Sequence, residues 1–124
     1  MDRHGLILFA HGARDARWAA PFEAIALRLR ERRPDLALRL AYLELMSPDL
    51  ATAASDLAGE GCTRIEVLPL FLGTGGHLRR DLPPLVDAIA ARHPGVAVRL
   101  HGAAGEAPDI IDALAAHALS LLKP

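Results

Sequence analysis

Two histidines and a glutamate, far apart in a chain of 124 residues, are the side chains best suited to do chemistry together. His11 stands in HGARD, directly after the apolar run LILFA. His77 stands in GTGGH, directly after RIEVLPLFL, and Glu44 lies near the end of LALRLAYLEL. Neutral imidazole and carboxylate together suit divalent first-row metals. Two or three protein ligands leave coordination positions open, which a site that hands its metal onward requires. A histidine titrating near neutrality can also accept a proton. Taken singly, each residue has an ordinary reading, a hydrogen-bonded loop histidine or a polar strand end. Their convergence depends on the elements that position them.

Four apolar runs alternate with four helix-like segments. Leu6–Ala10 is continuous and apolar, as expected of a strand buried on both faces. An amphipathic stretch from Trp18 to Arg33 follows and stops at Pro34. Leu36–Leu45 reads as the second strand. Ser47 is the expected N-cap of the next helix, with Pro48 at its first position, and that helix ends near Gly59 and Gly61. Arg64–Leu72 is the third strand, in which Pro69 marks a bulge or the strand's functional end. The glycine-rich turn then leads to a helix ending near His93. Val96–Leu100 is the fourth strand, and a last helix runs from Pro108 to Leu122.

This alternation with short loops predicts an α/β fold, a three-layer sandwich around a four-stranded parallel sheet. Right-handed crossovers leave few topologies, of which the flavodoxin-like order 2-1-3-4 is expected. Ligands of such sheets bind beyond the carboxyl ends of the strands, where the winding direction reverses. In that order the crevice lies between strands one and three. His11 and His77 border it, and Glu44 reaches the same edge.

Arg14, Arg79 and Arg80 sit beside the two histidine loops, at or before helix starts where a cation opposes the helix dipole. Guanidinium groups there suit a substrate with several carboxylates, although solvated arginines beside Asp81 are the plainer reading. Gly73, Gly75 and Gly76 allow the backbone to approach a flat ligand. Among the other histidines, His101 is peripheral on the same edge, and His93 sits at a helix C-terminus. His117 is on the last helix, and His4 is near an expectedly disordered start. Cys62 reads as a small buried residue, and Trp18 and Phe22, four apart, as packing partners.

Composition narrows the classes. Hydrophobic residues at 52% and charged residues at 23% indicate a folded chain, expected to form one domain over residues 1–124. A net charge of −1 and only 4% aromatics argue against nucleic acid as a partner. No apolar run nears the ~18 residues of a membrane span, and Leu6–Ala10 is too short for a signal peptide's apolar region. A single cysteine permits no internal disulfide. The expected location is cytoplasmic, with no membrane partner. No phosphate-loop motif is present, and none of Ser47, Ser55 and Ser120 stands in a G-x-S-x-G elbow.

HGARD, YLELMSPDL and VLPLFLGTGGHLRRDLP, in this order and spacing, resemble the CbiX/SirB class II chelatases from about Leu6 to Leu100. The last segment carries the family's P-x-F-L, glycine-rich, H-x-x-x-D-x-P signature. The resemblance implies a chelatase-like fold and insertion of cobalt, iron or nickel into sirohydrochlorin or a related tetrapyrrole. The divalent metal is then a substrate, and no organic cofactor is called for. His11 and His77 are implied as the metal-handling pair, and Glu44 matches the family's L-E motif as a further catalytic residue. Arg14, Gly75, Gly76, Arg79 and Arg80 are the expected substrate contacts. Ala13 departs from the pattern, where members carry serine or threonine. Longer members look like two copies of this unit, which implies a homodimer with a shared cleft. The rival reading is a non-catalytic metal or tetrapyrrole carrier using the same histidine-lined rim.

Overall fold

Strands β1 (His4–Ala10), β2 (Ala37–Tyr42), β3 (Arg64–Pro69) and β4 (Ala97–Leu100) form one parallel sheet in a computed structural model that describes residues 3–122. The strand order is β2-β1-β3-β4, as the alternation predicts. Helices α1 (Ala20–Arg32), α2 (Leu50–Gly59), α3 (Gly76–Arg92) and α4 (Pro108–Ser120) follow the strands in turn. Register fixes two faces, because successive side chains of a strand alternate. Ile7 and Phe9 share one face with Ile65, Val67, Val98 and Leu100. There they pack with Leu50, Ala53 and Leu57 of α2 and with Leu82, Val86 and Ile89 of α3. Burying each large aliphatic side chain is worth about 1.5–3 kcal/mol, so this layer dominates stability. On the other face, Leu8 and Leu38 meet Ala26 and Leu29 of α1. Trp18 and Phe22 stack at 4.6 Å between ring centroids, as their spacing predicts, and Cys62 is buried.

Several boundaries differ from expectation for local reasons. β2 ends at Tyr42 rather than Leu45, because Leu45 adopts a left-handed backbone (φ 66°) that turns the chain out of the sheet. Asp49, not Ser47, caps α2, its carboxylate accepting from the Thr52 N–H at 2.8 Å. Pro48 lies outside the helix, after a cis peptide bond, and its carbonyl accepts from Tyr42 N–H. β3 ends at Pro69 rather than Leu72, with Leu70 N–H still donating to Phe9 O of β1 at 2.8 Å, so the proline sits at the strand's end, where a missing N–H does little damage. His4 belongs to β1 rather than to a disordered start, and its Nε2 lies 2.6 Å from Glu66 Oε2.

Candidate functional site

β1 ends at Ala10, which places His11 at the carboxyl edge of the sheet. Two further backbone bonds extend the pairing past both strands, from Leu43 N–H to Ala10 O (2.9 Å) and from Glu44 N–H to His11 O (3.1 Å). The backbone thereby carries Glu44 alongside His11, and their side chains meet, with Nε2 3.2 Å from Oε1. An ionised carboxylate only accepts, so this contact places a proton on Nε2. In a neutral ring it leaves the Nδ1 lone pair as ligand or base. Both side chains are about half exposed and open to a ligand. Phe71 lies beside the imidazole, with ring centroids 6.3 Å apart and tilted by 60°.

The 43–48 segment holds Glu44 by a closed loop. Tyr42 and Asp49 pair at its base, and Met46 N–H donates to Glu44 O at 2.8 Å. Gly12 makes the approach feasible. Its φ of +98° suits glycine alone, and a Cβ there would overlap the Glu44 carbonyl. The turn after β1 is therefore built around contact with the Glu44 backbone.

His77 is the second residue of α3, and its Nε2 lies 3.2 Å from Asp81 Oδ2 one helical turn later. No hydrogen bond or ion pair joins it to His11 or Glu44 among the described residues. Nor does any cluster there of three or more His, Cys, Asp or Glu side chains have the geometry to hold a metal ion. The expected set thus divides into a His11–Glu44 pair and a His77–Asp81 pair, each with its second ring nitrogen unengaged by the carboxylate. Gly75 caps α3 without a side-chain bond, and Gly76 opens it. Neither glycine would bring a Cβ within 4 Å of any neighbour, so both present bare backbone at the helix start. Arg14 is exposed, Arg80 Nε donates to Gly76 O at 3.5 Å, and Arg79 pairs with Glu106 at 3.3 Å. Glu106 and Phe71 escaped sequence reasoning. Phe71 stands in the P-x-F-L signature just after β3, where it has no polar atom to mark it as a site residue, and Glu106 is brought in by the return of the chain after β4.

His101 donates to Glu66 Oε1 at 2.6 Å, opposite His4 on Oε2. The bonds from His4 and then His101 hold the Glu66 carboxyl below its ordinary range, against a smaller opposing effect of burial. His93 caps α3 and lies 3.3 Å from the Ser55 hydroxyl. These three histidines have structural partners that account for them.

A parallel α/β sheet with imidazole–carboxylate pairs at its carboxyl edge defines a class of ligand-binding fold. The CbiX family model matches residues 5–120, and the chain belongs to that family. It is 38% identical to the crystal structure of a CbiX protein from Marinobacter aquaeolei VT8, with a TM-score of 0.84 over 96% of this chain and 97% of that one. A sirohydrochlorin cobaltochelatase from Methanococcoides burtonii is 27% identical over 85 residues, 68% of this chain. That match spans 65% of the relative's length, just under two thirds. SirB from Bacillus subtilis, solved with Fe3+, shares the fold at 22% identity and TM-score 0.80, over 98% of this chain and 48% of the longer one.

Proposed function

We propose that this protein is a metal chelatase that inserts a divalent metal, cobalt or iron and secondarily nickel, into sirohydrochlorin or a related tetrapyrrole. The observation that carries the reading is the His11–Glu44 pair, held at 3.2 Å on the rim beyond the carboxyl ends of β1 and β2. Insertion exchanges one divalent cation for two pyrrole N–H protons. His11, oriented by Glu44, and His77, oriented by Asp81, each offer one free ring nitrogen for those two tasks, holding the metal and taking protons. Gly75 and Gly76 give the flat ring an unobstructed helix start. Arg14 and Arg80 face its carboxylates, and Arg79 does so in competition with Glu106. No organic cofactor takes part.

The same reading makes residues 1–124 one cytoplasmic catalytic unit acting as a homodimer. Among the described residues no helix is long and apolar enough to cross a membrane. The unit also fills 48% of the longer SirB chain, leaving room there for a second one. The test is absorbance-monitored insertion with sirohydrochlorin and, separately, cobalt, iron and nickel. Rates that scale with enzyme and exceed the spontaneous rate are expected. Stoichiometric binding without acceleration would instead mark a carrier.

A further inference from the structure

Two leucines at the rim stand where a leucine does the fold no service. Leu72 is 74% exposed and Leu45 is 60% exposed, the highest values for large apolar residues ahead of α4 among the described residues. Each is held there by an unusual piece of backbone. Leu45 is the one non-glycine residue with positive φ among the described residues, at 66°, where a Cβ crowds the following carbonyl. Glycine would occupy that position without strain. Leu72 is approached so closely by the turn before α4 that a Cβ at Gly105 would lie within 2.6 Å of its Cα, C and O atoms. Gly105 N–H also donates to Phe71 O at 2.9 Å, which fixes the backbone that carries Leu72.

The two leucines flank the same imidazole. β1 lies between β2 and β3, so His11, just past β1, has the 43–48 loop on one side and the residues after β3 on the other. Leu45 follows Glu44, whose carboxylate meets His11 at 3.2 Å. Leu72 follows Phe71, whose ring centroid is 6.3 Å from that of His11. A leucine gains nothing from water, and backbone strain that persists beside a reacting group is a sign of use there.

We propose that Leu45 and Leu72 are the apolar contacts of the tetrapyrrole, touching the ring on either side of His11. This rests on the chelatase reading above and adds to it the residues that recognise the ring itself. A tetrapyrrole of this kind is a flat conjugated ring with an anionic rim. Arg14 and Arg80 match the rim by charge, but the faces of the ring need apolar partners. Contacts of that sort are the same in bound substrate and transition state, so they lower KM and leave kcat alone.

The experiment titrates metal-free sirohydrochlorin into the intact chain, Leu45→Gly, Leu72→Ser and Leu27→Ala, following ring absorbance at two ionic strengths. Cobalt insertion is then measured on the same samples. Leu27, on α1 and 58% exposed, is the exposed leucine away from the rim. Each rim variant should weaken ring binding about tenfold, a difference of about 1.4 kcal/mol. The loss should be equal at both ionic strengths, because salt does not screen apolar contacts. KM should rise with kcat kept, and Leu27→Ala should match the intact chain. Leu45→Gly should melt no lower than the intact chain, since glycine relieves the left-handed strain. A structural role for Leu45 would lower Tm instead, and a disturbed Glu44 would lower kcat. Native ring affinity in either rim variant, a loss shared by Leu27→Ala, or effects confined to kcat or stability overturn the assignment. The insertion rates keep the two readings apart. Leucine-dependent ring binding without accelerated insertion sinks the chelatase reading alone. Accelerated insertion indifferent to both leucines sinks the contact alone, and an intact chain that binds no ring sinks both.

Discussion

Gly12 and Gly61 have nearly the same backbone angle, with φ of +98° and +93°, and opposite surroundings. A Cβ at Gly61 meets nothing within 4 Å, whereas one at Gly12 overlaps the Glu44 carbonyl. Gly61→Ala therefore suffers only the left-handed strain of about 1–2 kcal/mol. For a chain of this size that is about 3–10 °C in Tm, at roughly 3–5 °C per kcal/mol. Gly12→Ala carries the same strain and must also displace backbone, which adds about 1–3 kcal/mol, as overpacking does. The displaced atoms belong to Glu44, so the imidazole loses its orienting carboxylate. Misplacement of about 1 Å at a reacting centre costs about 100-fold in rate. Thermal melts and insertion assays on both variants are the measurement. Gly61→Ala should melt lower yet insert metal normally, while Gly12→Ala should lose about twice as much stability and most of its activity. Equal losses of both kinds in the two variants would refute the argument that the turn is built around Glu44.

His11→Ala and His77→Ala should each lower insertion by at least ~100-fold, with His93→Ala and His117→Ala near neutral, in steady-state assays on folded protein. Arg80→Ala should raise the tetrapyrrole KM more than kcat falls, and more than Arg79→Ala does, because Glu106 already engages Arg79. The wild-type KM should rise with salt and that of an Arg79→Ala, Arg80→Ala double variant much less, in titrations at two ionic strengths. Glu66 titrates below its ordinary range in the folded chain, so its stabilisation is complete above the unfolded value of ~4.3 and fades as pH falls through the folded one. Acid unfolding followed by circular dichroism should show Glu66→Gln less sensitive over that interval than the native chain.

The strand order was legible because LILFA and RIEVLPLFL are unbroken apolar runs, and such runs followed by helices leave few parallel topologies. The positions of His11 and His77 at the carboxyl edge followed from that order. Glu44 was legible as a candidate but not as a loop residue. The end of β2 depends on the left-handed turn at Leu45, and leucine gives no sign of it in sequence. Asp49 outcompeted Ser47 as a cap through its bond to Thr52, a choice between cap formers on either side of Pro48 that spacing does not decide. The pairing of Arg79 with Glu106 joins residues 27 apart through the chain's return after β4, which no local pattern encodes. His4 was hidden for a similar reason, since its partner Glu66 lies on another strand.

The central claim is that the His11–Glu44 pair does the chemistry at the rim. Its most direct test is the initial rate of cobalt insertion into sirohydrochlorin for the native chain, His11→Ala and Glu44→Gln, each corrected for the spontaneous rate. The native chain should accelerate insertion, His11→Ala should fall toward the spontaneous rate, and Glu44→Gln should fall between them because it keeps an acceptor but loses the charge. Native-like rates in both variants would contradict the account.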